Sequence, residues 1–518
     1  MSSKDGILSR LTRGTAATLM RQVINIFGQI VLVPVYLKYW GSQLYGEWML
    51  LSAAVAYLTL LDFGMQTYAV NRMNQAYARG DMGEFRKVFH TALSCSLLVS
   101  SIAGLALLAG IAAVPVEQWF QLENTAKSTA LLALTAIGFQ LVCSLPAGVV
   151  GGVYRAVGEY SRDVFFNNLQ RGSVLAATAI LLTQGAGIVA VALAQLTGLL
   201  AHIAFVQWDL RRRHPEVKIG LSGRDWALAG AFLGPSSLFF LLQISGALTL
   251  QGATLVMGGV AGAGGVAVFV SLRALANGIP QVAQALGATL WPEMTALEAK
   301  GDLRRLRATY LIASKLLLGF ALSAGIFLLF TAEDIVRMWT QGRITFEPLT
   351  MAALIALQIC QTWYLSSSVV LGSSNNHRQL AFCSIASSGL GLLAAALLGR
   401  SYGPSAVVWG LVTAELLISC WIIPWSACRL VRQHPAQYAI EVLGKGAVFA
   451  GTLSAALVGV SALWPMNGGP QRVLVMGAVV AFTGLATLLL FWLDSEQRGW
   501  IRGLLRVPQP WRAAATGS

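Results

Sequence analysis

The chain has 518 residues, of which 56% are hydrophobic and only 11% carry a charge. Soluble domains usually carry about 25% charged residues, so this composition excludes an ordinary soluble enzyme. Apolar runs near the roughly 20 residues that cross a bilayer follow one another from Thr15 to Leu493. The ten-residue alternation of a transmembrane barrel is absent. The sequence therefore predicts an all-α polytopic membrane protein.

Fourteen transmembrane helices are predicted in chain order. The N-terminus MSSKDGILSRLTRG is polar and basic, and no small-residue cleavage site follows a short apolar core. The first apolar run is therefore expected to be a retained helix. The predicted helices cover 15–37, 46–71, 88–113, 126–150, 163–184, 187–209, 226–256, 264–293, 309–331, 348–372, 380–399, 404–428, 441–464 and 471–493.

Basic residues predict the orientation. The formal net charge is +14, and most lysines and arginines fall at the N-terminus, in the C-terminal tail and in the loops after even-numbered helices. Cytoplasmic loops of membrane proteins are enriched in these residues. Both termini are therefore expected on the cytoplasmic side.

An internal repeat divides the predicted helices. Three pairs of segments recur at nearly the same spacing, and their members are 78–89 with 299–310, 149–160 with 369–380, and 210–217 with 430–437. The repeat predicts two six-helix lobes of equal orientation plus two C-terminal helices. Transporters with this plan bind substrate between the halves. The predicted layout is a cytoplasmic N-terminus 1–14, an N-lobe 15–215, a linker 216–225, a C-lobe 226–436, two further helices 437–493 and a cytoplasmic tail 494–518.

The first repeated segment predicts a tight cytoplasmic turn. Gly80 and Gly301 permit the turn in the two copies, and Asp81 and Asp302 are placed to cap the helices that follow. In the first copy Glu84 is expected to complete a capping box.

Polar residues at helical spacing mark a candidate binding face. Arg21, Asn25 and Gln29 share one face of helix one, and Gln243 and Gln251 are also eight residues apart in helix seven. A polar stripe in a membrane helix faces protein or a wet cavity. For Arg21 the alternative is that its side chain reaches the cytoplasmic interface.

Further cations and a proline extend this candidate site. Arg273 lies deep in helix eight and is expected to face a cavity or an anionic partner, with Pro280 predicted as a hinge. Arg171 and Lys315 lie near cytoplasmic helix ends, where each is either an interfacial anchor or a cavity cation.

Two carboxylates are candidates for ion coupling. Asp62 lies in helix two and Glu415 in helix twelve. Each could bind H⁺ or Na⁺, or pair with a buried arginine such as Arg21. No metal-ligand, nucleophile or phosphate-loop pattern appears, and the six cysteines read as packing residues, so no metal or other cofactor is expected.

At the level of motifs, segment 31–81 resembles the opening of Wzx-type polysaccharide flippases of the multidrug/oligosaccharidyl-lipid/polysaccharide (MOP) exporter superfamily. The similar features are Tyr45–Gly46, then Asp62-x-Gly64, then a basic loop with Gly-Asp. Helix eight, with Arg273, also resembles the helix of lipid II flippases in which an arginine faces the cavity. Arg21 has no adjacent acid, which disfavours a peptidoglycan-precursor role.

The resemblance implies a flippase of the bacterial inner membrane. Its substrate would be an undecaprenyl-diphosphate-linked oligosaccharide for O-antigen, capsule or exopolysaccharide synthesis, moved by alternating access. Its expected partners are membrane lipids, a polysaccharide polymerase and a chain-length regulator. The sugars would contact Asn25, Gln29, Gln243 and Gln251.

Three other functions compete with this reading. A drug/cation antiporter of the same superfamily would favour acids in the cavity, whereas the buried charges here are mainly basic. A major-facilitator transporter would show a different spacing in its repeated basic loop. A membrane glycosyltransferase or polymerase usually carries a sizeable outer loop, and the longest predicted outer segment, 332–347, is short.

Overall fold

The computed structural model describes residues 3–113, 116–120, 122–374, 377–466 and 468–492, and these parts of the chain form helices and turns without strands. The first half contains α1 Ser3–Ala56, α2 Met65–Ala78, α3 Met82–Ala113, α4 Val116–Phe120, α5 Lys127–Ala156, α6 Tyr160–Thr183, α7 Ile188–Arg213, α8 Trp226–Ala247 and α9 Ala253–Ala276. The second half contains α10 Gly278–Ala299, α11 Leu303–Thr340, α12 Pro348–Trp363, α13 Leu365–Ser373, α14 His377–Tyr402, α15 Pro404–Ala414, α16 Cys420–Leu430, α17 Pro435–Ala439, α18 Lys445–Leu463 and α19 Pro470–Thr487. The predicted all-α class is confirmed.

Eleven helical stretches among the described residues are long and apolar enough to cross a membrane. Two of them, Met20–Ala78 and Phe240–Gly287, are long enough for two passes each and contain non-helical glycines at Gly41 and Gly262. The more polar α6 adds another helix of membrane-spanning length. These stretches account for the fourteen predicted passes of a multi-pass membrane protein.

Two predicted helices are interrupted. Predicted helix two, 46–71, is broken by a 3₁₀ segment Tyr57–Asp62 and by the left-handed Phe63. Predicted helix eight, 264–293, is broken at Asn277, where α9 ends and α10 begins. Apolar runs alone do not reveal such breaks, because the interrupted segments remain hydrophobic.

Helical contacts group the chain into two compact units. The first comprises Met1–Gln281, Val336–Leu357 and His377–Ser419. Its core includes a cluster of fully buried side chains between α2, α3, α5 and α7, among them Met73, Phe85, Phe89, Tyr154 and Leu210. The division into the predicted lobes stays a prediction, and the predicted tail 494–518 lies outside the described residues.

The backbones of α1 and α9 approach each other closely in the first unit. A Cβ added to Gly46 would overlap the carbonyl oxygen and carbon of Ala263 and would lie 3.0 Å from its Cα. Only a glycine allows the two backbones to approach in this way. Gly46 thereby brings its neighbour Tyr45 against the helix that carries Arg273.

The second unit comprises Val282–Ile335, Gln358–Asn376 and Cys420–Ser518. Tyr310 and Tyr438 stack in its interior with ring centroids 4.9 Å apart. The Tyr438 hydroxyl donates to Ser314 Oγ at 2.9 Å, and the Trp363 indole donates to the Cys420 carbonyl at 2.8 Å. These bonds satisfy polar groups that lie in an apolar core.

The two repeated turns have the predicted caps. Gly80 and Gly301 have φ values of 74° and 68°, in the region that favours glycine. The Glu84 N–H donates to Asp81 Oδ1 at 2.8 Å, and the Arg305 N–H donates to Asp302 Oδ1 at 3.1 Å. Each aspartate therefore caps its helix.

The predicted capping box at Glu84 is wrong. The Asp81 N–H donates to the Ala76 carbonyl at 3.0 Å instead. The Glu84 carboxylate contacts Arg72 at 3.3 Å and Arg79 at 2.6 Å. Bonds between two charged groups are stronger than a bond from a neutral N–H, so the arginines hold the carboxylate.

The predicted linker is attached to the start of α3. Nδ1 of His90 accepts from the Gly223 N–H at 3.3 Å, and its Nε2–H donates to the Lys218 carbonyl at 2.7 Å. Asp225 caps α8 and forms an ion pair with Lys87 at 2.6 Å. The Lys87 ammonium and the N–H groups of α8 hold the pKa of Asp225 below its usual range.

Candidate functional site

A cavity of about 980 Å³ lies within the first unit. Its lining comes from α1, α2, α5, α6, α7, α9 and the π-helical segment Leu248–Gly252 between α8 and α9. All of these elements are membrane-length helices or segments joined to them. The cavity is therefore a polar space among transmembrane helices.

The charges that line the cavity are mainly positive. Four arginines line it, namely Arg21, Arg155, Arg171 and Arg273, together with a single carboxylate, Asp163. Arg155 Nε lies 3.3 Å from Asp163 Oδ2. Among the described residues, the other three arginines form no ion pair. Cations that are partly shielded from water attract anions more strongly than cations in bulk water do.

Arg273 is held by neutral groups. Its Nη1 donates to the Leu250 carbonyl at 2.9 Å and to Thr254 Oγ1 at 3.0 Å. The guanidinium also lies 4.8 Å from the centroid of the Phe269 ring. These contacts orient the side chain without neutralising its charge, so the full positive charge is available to a ligand.

The Leu250 carbonyl accepts from Arg273 because of a local irregularity. Leu250 lies in the π-helical segment, whose wider turn disturbs the regular pairing of carbonyls and N–H groups. The same carbonyl also accepts from the Thr254 hydroxyl at 2.9 Å. A regular α-helical pattern through this region would not predict the contact.

The predicted stripe on helix one lies on the cavity wall. Arg21, Asn25 and Gln29 all line the cavity. Asn25 Oδ1 accepts from Arg171 Nη1 at 2.8 Å, and Gln29 Oε1 accepts from Gln281 Nε2 at 3.1 Å. The shared helical face therefore brings these side chains to one site. Their contact with a substrate stays a prediction.

Aromatic rings line another part of the wall. Tyr36 and Tyr45 face the cavity and stack with ring centroids 5.1 Å apart. Tyr36 also contacts Trp40, whose indole donates to the Ala186 carbonyl at 2.8 Å. This cluster packs the chain on both sides of Gly41.

Several cavity residues were missed by the sequence reasoning. Arg155 was assigned to a loop, because helix four was predicted to end at residue 150, but α5 continues to Ala156. Asp163, the first residue of the predicted helix 163–184, is not among the predicted site residues. Amides and a histidine inside the predicted helices gave a usable signal. The members of this set that line the cavity are Gln66, Gln140, Asn167, Gln170, Gln195, His202 and Asn277.

Six of the eight predicted cavity residues line the cavity, on α1, α6, α9 and the π-helical segment, whereas Gln243 and Lys315 do not. Gln243 is exposed on α8. Lys315 is completely buried in the second unit, and its ammonium lies 2.8 Å from Glu441 Oε1. Of the further candidates, Gln251, Arg171 and Arg273 do line the cavity.

The predicted coupling and hinge residues are not part of the cavity lining. Asp62 ends the 3₁₀ segment, and its Oδ1 accepts from the Gln66 N–H at 3.4 Å. Glu415 is buried at the start of a second π-helical segment, Glu415–Ser419. Pro280 lies in the first turn of α10, next to the break at Asn277. Ion coupling and hinge motion stay predictions.

No protein-family model matches the chain, and no curated protein matches it. Several solved structures resemble it in fold. The lipid II flippase MurJ in an inward closed conformation has a TM-score of 0.70 and 12% identity, covering 95% of this chain and 99% of that one. A multidrug resistance MATE family transporter of the MOP superfamily, inward-facing, has a TM-score of 0.68 and 16% identity, covering 82% and 98%.

A third solved structure is a MOP superfamily transporter from Pyrococcus furiosus. Its TM-score is 0.56 at 15% identity, over 81% of this chain and 97% of that one, and its binding pocket is described as having a reverse polarity that suggests a different function. Likeness at these identities shows the fold alone. The chain has the fold of MOP superfamily transporters.

Proposed function

We propose that this protein, which has the MOP transporter fold, flips undecaprenyl-diphosphate-linked oligosaccharides across the bacterial inner membrane for polysaccharide synthesis. The observation that carries the proposal is the excess of arginines over carboxylates in the cavity. A cavity of this charge favours an anionic head group. The proposal keeps the orientation predicted from the basic loops, with both termini in the cytoplasm.

The diphosphate is the part of the substrate that best fits these cations. Arginine binds phosphate oxygens through two parallel N–H donors. Arg273 uses Nη1 for its two protein bonds, so its Nε and Nη2 can point to the ligand. Arg21 on α1 and Arg171 on α6 supply further charge.

The saccharide would contact the neutral polar groups of the wall. Amides such as Asn25, Gln29, Gln66 and Gln251 line the cavity. Each offers both a donor and an acceptor, as sugar hydroxyls require. This part of the proposal assigns no particular sugar.

A MATE-type exporter of organic cations is the alternative that the fold allows, because one of the structural neighbours is a MATE family transporter. Three unpaired arginines among the described cavity residues would repel a cationic drug. Binding of a lipophilic cation such as tetraphenylphosphonium, with no binding of a polyprenyl diphosphate, would favour that alternative.

The test is transport by purified protein in liposomes that contain a fluorescent undecaprenyl-diphosphate-linked oligosaccharide. Loss of the label from the inner leaflet measures flipping. Arg273→Ala should abolish flipping and Arg21→Ala should weaken it, because each removes a cation from the cavity. Arg304→Ala removes an exposed cation of α11 and is the matched control.

A deletion strain provides the cellular version. Undecaprenyl-linked repeat units should accumulate on the cytoplasmic leaflet when the gene is absent. Normal polymer export by cells that carry Arg273→Ala at equal expression would refute the assignment.

A further inference from the structure

An apolar groove of about 330 Å³ lies between α1 and α6 in the first unit. Val23, Phe27 and Val31 of α1 form one wall, and Ala176 and Ala179 of α6 form the other. The side chains of Val23 and Phe27 are each 63% exposed. In a membrane, exposed apolar side chains on such helices face lipid.

The groove adjoins the cationic cavity. Ile24, Gly28, Leu32 and Leu175 line both spaces. On α6, Arg171 lines the cavity, and the next residue, Gly172, lines the groove. A cation and an apolar opening are thus adjacent in the sequence and in space.

We infer that this groove holds the polyprenyl chain of the substrate while the diphosphate lies in the cavity. The inference rests on the proposed function. A hydrocarbon chain inside the polar cavity would deprive the amides and arginines of the wall of hydrogen bonds to water or to a polar ligand. A chain in the groove avoids that loss, since the groove and the bilayer are both apolar.

The adjacency of Arg171 and Gly172 favours this occupant over a phospholipid chain. In a polyprenyl diphosphate the hydrocarbon begins directly at the phosphate oxygen, so the charge and the chain are immediate neighbours. In a phospholipid a glycerol unit separates them. Arg171 is oriented by its bond to Asn25 at 2.8 Å, and Asn25 follows Ile24, which lines both the groove and the cavity.

Gly172→Phe tests the groove in the full-length protein. A Cβ added to Gly172 meets no atom within 4 Å, so the new ring can occupy the groove without disturbing the fold. The matched control is Gly110→Phe on α3, because a Cβ there also meets no atom within 4 Å and α3 lines neither space. The probes are undecaprenyl diphosphate and inorganic diphosphate, whose binding is measured in detergent solution.

Gly172→Phe should weaken binding of undecaprenyl diphosphate by about tenfold, because the phenylalanine ring would fill part of the groove and leave less room for the polyprenyl chain. Binding of inorganic diphosphate should stay unchanged, and Gly110→Phe should change neither. Arg273→Ala should weaken both. Equal undecaprenyl diphosphate affinity in the Gly172→Phe and unchanged proteins would overturn the inference and leave the proposed function standing.

A photo-crosslinking residue in place of Ala176 identifies the occupant directly. Undecaprenyl diphosphate should form the adduct and should compete with labelled phospholipid. A phospholipid adduct that undecaprenyl diphosphate does not reduce would overturn the inference. Failure of the unchanged protein to bind either diphosphate probe would overturn the proposed function, and the inference with it.

Discussion

Gly46→Ala should destabilise the first unit strongly, because α1 and α9 touch through their backbones at this point. The added Cβ would overlap the carbonyl carbon and oxygen of Ala263. A carbon atom normally approaches a carbonyl oxygen no closer than about 3.3 Å. The two helices would therefore have to separate, and the contacts beside Gly46 would loosen with them.

The size of the destabilisation depends on whether the atoms that the new Cβ meets can move. Overpacking costs about 1–3 kcal/mol when neighbouring side chains can adjust. Here the obstacle is backbone, so a cost of at least about 3 kcal/mol is expected. Replacing a helical glycine by alanine returns up to about 1 kcal/mol. The net loss of unfolding free energy should be at least about 2 kcal/mol.

Thermal unfolding of the purified protein in detergent measures this loss. The matched control is Gly259→Ala on α9, where a Cβ meets no atom within 4 Å, and it should be neutral or slightly stabilising. Adding Ala263→Gly to Gly46→Ala should not restore stability, since the overlapped atoms belong to the main chain. A Gly46→Ala protein as stable as the Gly259→Ala control would refute this account of the contact.

Two other contacts in the first unit yield predictions. Arg162→Ala should lower the unfolding free energy by about 3 kcal/mol, because Arg162 donates two hydrogen bonds, at 2.8 and 2.5 Å, to the buried carboxylate of Asp209. Arg212→Ala, which removes an exposed cation, is the control. Equal melting temperatures of the two variants would contradict this prediction. Lys87→Ala should speed amide hydrogen exchange across 218–225, because it removes the ion pair to Asp225. The lowered pKa of Asp225 means that this attachment is present at neutral pH and is lost as the pH falls through that pKa. Exchange that is the same at neutral and acidic pH, after correction for the intrinsic rate, would count against it.

Local pattern was enough to predict the helical class and the capped turns. Low charge and long apolar runs require helices in lipid, because backbone groups there must bond internally. Asp81 and Asp302 were predicted as caps from their position after a flexible glycine, and both accept the expected N–H. These features depend on residues close together in the sequence.

The candidate site was predicted only in part. Arg21, Asn25 and Gln29 share a helical face, so their common exposure to the cavity follows from the period of the helix. Arg155 was misplaced because the predicted helix four ended too early. For Lys315 the sequence left two roles open, and its partner, Glu441, is far away in the chain.

By itself, then, the sequence determined that this chain forms membrane-length helices, and it picked out three of the four arginines that line the cavity. Only the tertiary structure decided which cations face one cavity, that Arg273 is held by a carbonyl of a π-helical segment, and that an apolar groove adjoins Arg171. The physical reason is that helical periodicity is a local property. The partner that each helical face meets depends on packing between residues far apart in the chain.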